Sequence, residues 1–183
     1  MPIISSNPTM RILGLLAADY IKLLDWVGSI GAKLTGVTDP DAGPLVWTDP
    51  VSARHAVRVV CDLAGMPLTP TFNVDGKLYL MKDVLCACVQ VESEFKPSAV
   101  HQNKVWQDDK WVIASTDYGI AQINDFYNIG MGKPFPSAQY VLDNPQADIE
   151  WMAKQFLAGN AHLWCSFTSG EFNKYLPKIR TSF

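Results

Sequence analysis

Residues 92–124 read ESEFKPSAVHQNKVWQDDKWVIASTDYGIAQIN, and they contain the most informative pattern in the chain. Its first acid, Glu92, follows an apolar run with the spacing of a helix. A second acid, Asp117, stands among hydroxyl side chains in a segment with strand character. Burial against an apolar wall favours the neutral form of a carboxyl, whereas a polar setting favours its charged form. One neutral and one charged carboxyl together are suited to the cleavage of a glycosidic bond. The plainer interpretation is that Glu92 is an exposed helical acid and Asp117 a turn former.

Two motifs within this stretch favour the first interpretation. Glu92-Ser-Glu-Phe-Lys-Pro-Ser-Ala99, followed by Tyr118-Gly-Ile-Ala-Gln-Ile-Asn124, resembles the soluble lytic transglycosylases of the lysozyme-like superfamily. The longer run Ser115–Asn124 is similar to animal-type lysozymes, from whose usual form it differs at Ala121. The resemblance extends over about residues 85–176, and the combination is typical of phage cell-wall enzymes. It implies an α+β fold of the lysozyme-like kind, mainly helical with a small antiparallel β region.

The resemblance also implies roles for individual residues. Glu92 corresponds to the catalytic general acid, and Asp117 to the second carboxylate of animal-type lysozymes, which lytic transglycosylases lack. Glu94 is the alternative to Glu92, but it lies about 200° around the helix and faces away from any cleft that Glu92 lines. A further set of side chains is expected to contact the sugar chain: Gln122, Asn124, Tyr118, Phe126, Tyr127 and Trp164.

The function implied is a peptidoglycan glycosidase that needs no metal or organic cofactor. In the muramidase form, Glu92 and Asp117 together hydrolyse the β-1,4 bond between N-acetylmuramic acid and N-acetylglucosamine. In the lytic transglycosylase form, Glu92 acts alone and the product carries a 1,6-anhydro ring. Two other classes stay open: a non-catalytic module that binds glycan or belongs to a virion, and a Cys–His peptidase that acts on the stem peptide.

Composition and charge exclude several other classes of protein. The 183 residues are 48% hydrophobic and 18% charged, which excludes intrinsic disorder. The net charge of −3 argues against nucleic acid as a partner and against a secreted, basic defence lysozyme. The opening residues MPIISSNP do not resemble a signal peptide, and charges within residues 10–34 argue against a transmembrane segment. We therefore expect an enzyme that reaches the bacterial cell wall by phage delivery, within a virion or by release on lysis.

Helix and turn signals divide the chain into two parts. Apolar residues recur at helical spacing over residues 9–34, and breakers fill residues 38–44. These patterns predict a helical extension over residues 1–45, suited to virion contact or self-association, and a catalytic domain over residues 46–183. Within that domain Asp49-Pro50 predicts a helix start, Asp75-Gly76 a hairpin, Lys82-Asp83 a helix cap, and residues 145–157 a long helix. Strand-like pieces are expected at residues 111–113 and 118–123, with Asp108 and Asp109 as turn residues before them.

Histidine and cysteine spacing does not indicate a metal site. His55, His101 and His162 are far apart, and a satisfied or exposed histidine is the expected state of each. The four cysteines are not in a Cys-x-x-Cys pattern, so buried reduced thiols are favoured. One disulfide from Cys61 or Cys86 to Cys165 stays open as an alternative.

Overall fold

The computed structural model describes residues 44–180. The helix predicted over residues 9–34 lies outside this range, as does nearly all of the proposed extension over residues 1–45. Within residues 44–180, no helix has the length and apolar character needed to cross a membrane.

The first described helix, α1, begins where the sequence predicts. It spans Pro50–Leu63, and the Asp49 carboxylate accepts hydrogen bonds from the backbone N–H groups of Val51 and Ser52, each at 3.0 Å. Pro50 occupies the first turn, where its missing N–H leaves no intrahelical bond unmade. The predicted Asp-Pro start is confirmed.

Helix α2, Met81–Ser93, begins differently from the prediction. Its N-cap is Leu80, which makes no side-chain capping bond, so the predicted cap at Lys82-Asp83 is wrong. Asp83 is buried and instead pairs with Arg58 of α1, with 2.6 Å between Nη1 and Oδ1. A carboxylate with a charged tertiary partner in the core gains more from that partner than from a helix end.

The β structure comprises a short hairpin and a three-stranded sheet. In the hairpin, β1 (Phe72–Val74) and β2 (Lys77–Tyr79) are joined by Asp75 and Gly76, both with positive φ, as the sequence predicts. In the sheet, the antiparallel order is β3 (Val100–Gln107), β4 (Lys110–Tyr118) and β5 (Ile123–Asn124).

Strands β3 and β4 form a long ribbon that turns at Asp108-Asp109, whose positive φ values of 49° and 58° confirm the predicted turn. The register shifts between Asn103 and Lys104, which marks a β-bulge. Residues 118–123 are expected to be strand, but only Tyr118, at the end of β4, and Ile123, at the start of β5, are strand residues. After Tyr118 the chain makes a turn over residues 119–122, because Gly119 and Gln122 have φ values of 77° and 52°.

Short helices follow the sheet and close the fold. Helix α3 is Asp125–Asn128, α4 is Ala138–Asp143, and α5 is Pro145–Leu157, which confirms the predicted long helix. The remaining helical elements are 3₁₀ turns at Ala161–Leu163 and Glu171–Lys174, with α6 at Cys165–Thr168 and α7 at Leu176–Arg180. Helices α1, α2 and α5 pack on one another around a shared core. The arrangement is α+β, mainly helical with a small antiparallel β region, as predicted.

All four cysteines are free. Burial raises the pKa of the Cys86 and Cys88 thiols to about 12 and that of Cys61 well above its usual value. Cys165 is exposed. The alternative of a bridge from Cys61 or Cys86 to Cys165 is therefore wrong.

Candidate active site

A cleft of about 530 Å³ lies between the C-terminal end of α2, the base of the β3–β4 ribbon and the segment around Trp164. It brings Glu92 and Asp117 together, although they are on different elements and far apart in sequence. The described residues that line it are Val91, Glu92, His101, Asn103, Asp117, Gln122, Asn124, Tyr127, Leu163, Trp164 and Cys165.

Glu92 lies in the last turn of α2 and is half-buried. Its Oε1 accepts a hydrogen bond from the backbone N–H of Ser166 at 3.1 Å, which ties the helix to α6 across the cleft. The alternative acid, Glu94, is exposed at the helix C-cap with a φ of 54° and pairs with Lys96 at 2.6 Å. That ion pair lowers the pKa of Glu94, which does not suit a proton donor.

Asp117 is held by two side-chain amides. Asn103 Nδ2 donates to its Oδ2 and Asn124 Nδ2 donates to its Oδ1, each at 2.7 Å. The same two amides donate to Ser115 Oγ, at 3.1 and 3.0 Å. This amide cage (Asn103, Ser115 and Asn124 around Asp117) fixes the direction of both carboxylate oxygens, because each oxygen accepts a short bond from a fixed donor.

The turn over residues 119–122 begins two residues after Asp117 and ends at Gln122. Several neighbouring segments form hydrogen bonds with its backbone. The N–H of Gly119 donates to the carbonyl of Ala99 at 2.9 Å. Ser93 Oγ donates to the carbonyl of Ile120 at 2.7 Å, and the Trp164 indole donates to that of Ala121 at 2.8 Å. Buried polar groups are stable when they are paired in this way, so the turn is held in one conformation beside the cleft.

Comparison with known proteins identifies the domain. A family model described as the transglycosylase SLT domain matches residues 72–162. Residues 72–162 are therefore an SLT domain of the lysozyme-like superfamily. No curated protein and no solved structure matches the chain. The SLT domain gives this chain a peptidoglycan-degrading function of the lysozyme or lytic transglycosylase kind, exerted at the cell wall.

The SLT match includes most of the residues predicted for the site. Gln122, Asn124 and Tyr127 lie within it and line the cleft, and Trp164 lines the cleft just beyond the match. Two predicted sugar-contacting residues lie outside the lining set. Tyr118 packs against the core, and Phe126 is 65% exposed with its ring edge-on to Tyr127.

Sequence reasoning missed several residues in or beside this cleft, and three of them are polar groups near Asp117. Asn103 and Ser115 form the amide cage, and His101 is exposed on the cleft wall opposite Asp117 in the strand register. The alternation of side chains along a strand could have revealed them. Residues 101 and 103 are two apart and share one face of their strand, and the same holds for residues 115 and 117. In the described residues, no group of three or more His, Cys, Asp or Glu side chains is arranged to hold a metal ion.

Proposed function

We propose that this chain is a muramidase that hydrolyses the β-1,4 bond between N-acetylmuramic acid and N-acetylglucosamine in peptidoglycan. Glu92 is the general acid that protonates the leaving oxygen. Asp117 is the second carboxylate, which acts as nucleophile or stabilises the positive charge that develops at the anomeric carbon, and water completes the reaction with retention.

The observation that carries the proposal is the amide cage beside Glu92. Asp117 shares a cleft with Glu92, and both of its oxygens accept 2.7 Å bonds from Asn103 and Asn124. A carboxylate that is aimed by fixed donors needs little reorganisation when charge develops next to it. A turn-forming aspartate would have no need of two amide donors within a cleft.

Cleft residues around this pair suit a sugar chain. Tyr127 is 72% exposed on the cleft wall, and flat aromatic faces pack well on the apolar faces of sugars. A second cavity of about 330 Å³ shares Gln122, Asn124, Tyr127 and Trp164 with the first and continues to Trp151. A polymer longer than one disaccharide therefore has a continuous surface to follow.

Lytic transglycosylation is the second candidate, because the matching family model is described as a transglycosylase domain. In that reaction Glu92 acts first as acid and then as base, and the 6-hydroxyl of the muramyl residue takes the place of water. Asp117 would then have no chemical role. Delivery by a phage, as a free enzyme or as part of a virion, remains a prediction beside both candidates.

The test is digestion of purified peptidoglycan in ¹⁸O-water, with products identified by mass spectrometry. A muramidase gives reducing ends that carry ¹⁸O, whereas a transglycosylase gives 1,6-anhydro products without it. Anhydro products alone would rule out the muramidase proposal. A wild-type chain that leaves the wall intact would favour the non-catalytic glycan-binding module instead.

Matched variants assign the two acids. Glu92→Gln is expected to lower kcat by about 10³-fold, since it removes the proton donor. Asp117→Asn is expected to lower kcat by about 10²-fold or more under the muramidase proposal, and to leave it unchanged under the transglycosylase one. Glu94→Gln and Asp109→Asn are the controls, because both carboxyls are exposed and outside the cleft. Full activity in Glu92→Gln would reject both reactions.

A further inference from the structure

Asp148, on α5, lies directly beneath the turn over residues 119–122. It is fully buried, and neither of its carboxyl oxygens has a hydrogen-bond partner among the described residues. Gly119 makes this approach possible. A Cβ placed on Gly119 would lie 2.2 Å from Asp148 Oδ2 and 2.7 Å from Val141 Cγ1. The carboxyl therefore occupies the space in which any other residue at position 119 would carry its side chain.

The turn above Asp148 carries cleft residues at both ends. Asp117 precedes it by two residues, and Gln122 ends it with the amide donating to the Gly119 carbonyl at 2.9 Å. On the cleft side the turn is bonded to Ser93 and Trp164, as described above. On the buried side the contact at Gly119 is with Asp148 and Val141. A shift of this carboxyl would therefore be transmitted to Gln122 and Asp117.

We propose that Asp148 is a positioning residue for the cleft, whose neutral carboxyl supports the turn at Gly119 and whose ionisation displaces that turn. The step is the loss of one proton from the carboxyl to solvent hydroxide, which leaves a carboxylate in the core. The proposal rests on the proposed function only for its effect on catalysis. Displacement of the turn is independent of the reaction that the cleft performs.

The surroundings of Asp148 favour its neutral form. Burial raises the pKa of Asp148 to about 8, and the nearby backbone N–H of Ile120 opposes this rise. No charged side chain in the described part of the chain contributes to the shift. Among the titratable groups on the elements around α5, His55 of α1 is exposed. The following groups have partners elsewhere: Arg54 with Gln90, Arg58 with Asp83, Lys82 with Asp62, Glu92 with the Ser166 N–H, Asp117 with its amide cage, and Asp143 of α4 with Gln139.

The direction of the pH effect follows from this raised pKa. Between the ordinary pKa of 3.8 and about 8, the folded chain keeps the Asp148 proton and the unfolded chain does not. The stability contributed by the neutral form is therefore complete below pH 3.8 and is lost as pH rises to about 8, where the folded carboxyl ionises. A buried carboxylate without a partner is costly, so above this pH the structure around it must rearrange.

The test is an NMR pH titration of the full chain from pH 6 to 9.5. We expect the Gln122 amide and the Trp164 indole signals to shift together with a midpoint near pH 8, in step with the side-chain carboxyl carbon of Asp148. Asp148→Asn keeps the shape of the side chain and cannot ionise, so its two turn signals should not shift near this pH. Asp143→Asn, an exposed acid on the neighbouring helix, should keep the transition.

Two results would overturn the proposal. One is a transition of the turn signals that persists in Asp148→Asn; the other is a wild-type chain whose turn signals do not follow the Asp148 carboxyl carbon. The second comparison uses wild type alone, so the test does not depend on whether the variant folds.

Catalysis provides a separate readout. Under the proposed function, kcat/KM for a peptidoglycan fragment should fall by an additional tenfold or so for each pH unit above pH 8. Asp148→Asn should lack this additional fall, whatever its own rate at pH 7. A chain with the NMR transition but no glycosidase activity would reject the proposed function and leave the role of Asp148 intact. An additional fall that persists in Asp148→Asn would reject the coupling of Asp148 to the cleft.

Discussion

Asp117 and Asp148 lie on opposite sides of one short turn and have opposite surroundings. Asp117 faces an open cleft, and its oxygens accept bonds from two amides. Asp148 faces the core, and its oxygens have no hydrogen-bond partner among the described residues. The difference indicates two distinct roles. Hydrogen bonds orient Asp117, which faces the substrate cleft, whereas close packing of the neutral Asp148 carboxyl supports the backbone of the turn.

The largest effect is expected from filling the space between the turn and Asp148. Gly119→Ala would place a Cβ 2.2 Å from Asp148 Oδ2, so we expect a loss of about 3 kcal/mol or more in the free energy of unfolding. Gly76→Ala is the matched control, because its φ of 79° is close to the 77° of Gly119 and no atom lies within 4 Å of its Cβ position. The control should lose about 1 kcal/mol from backbone strain alone. Urea denaturation measures both, and equal losses would mean that the contact with Asp148 is not tight.

An intermediate effect is expected from removing the indole donor on the cleft side of the same turn. Trp164→Phe leaves the Ala121 carbonyl without its 2.8 Å partner, so we expect a loss of about 1–3 kcal/mol and weaker glycan binding. Trp151→Phe removes the same ring atoms from the adjacent tryptophan, 5.6 Å away, and is the control for the stability lost with ring volume. The prediction fails if denaturation shows the same loss of stability in the two variants, or if calorimetric titration of Trp164→Phe with a chitooligosaccharide gives the wild-type affinity.

A smaller effect, on rate rather than stability, is expected from the amide cage. Asn103→Ala removes one of the two donors to Asp117, and we expect kcat to fall by about tenfold with little change in unfolding free energy. Gln102→Ala changes the exposed residue beside it, which faces the other side of the ribbon, and should leave kcat unchanged. If Asn103→Ala retained the wild-type kcat, Asp117 would not depend on its cage.

The smallest effect is expected at the far end of the ribbon. Trp106 and Trp111 are both exposed and meet edge-on at 5.5 Å. Trp106→Ala should lower the unfolding free energy by about 1 kcal/mol and leave kcat on a soluble oligosaccharide unchanged. A loss of kcat in this variant would mean that the tip of the ribbon controls the geometry at its base.

The sequence predicted those features that local chemistry determines. Asp49-Pro50 and Asp75-Gly76 specify a helix start and a hairpin turn within a few residues, and both are confirmed. The cap at Asp83 was wrong because its partner, Arg58, is 25 residues away and no local pattern reveals it. The strand expected over residues 118–123 is interrupted because Gly119 and Gln122 have positive φ, and a glycine within a strand pattern often marks a bend.

The cleft residues that were missed depend on strand register and helix packing. The position of Asn103 beside Asp117 depends on the pairing of β3 with β4, including the bulge that follows it. Asp148 was missed because acids are usually exposed. Its position nonetheless indicates burial. Asp148 lies four residues before Met152 and eight before Phe156, so it shares the helix face with which α5 packs on the core. An acid on the apolar stripe of an amphipathic helix therefore indicates a candidate buried carboxyl.

The free thiols have a practical consequence for following substrate entry. Cys61, Cys86 and Cys88 are buried with raised pKa values, and a protonated, buried thiol reacts slowly with alkylating reagents. Cys165 is exposed on the cleft wall and follows Trp164 in the chain. The natural sequence therefore provides a single attachment point for a fluorescent or spin label at the mouth of the cleft, with no cysteine to remove or add.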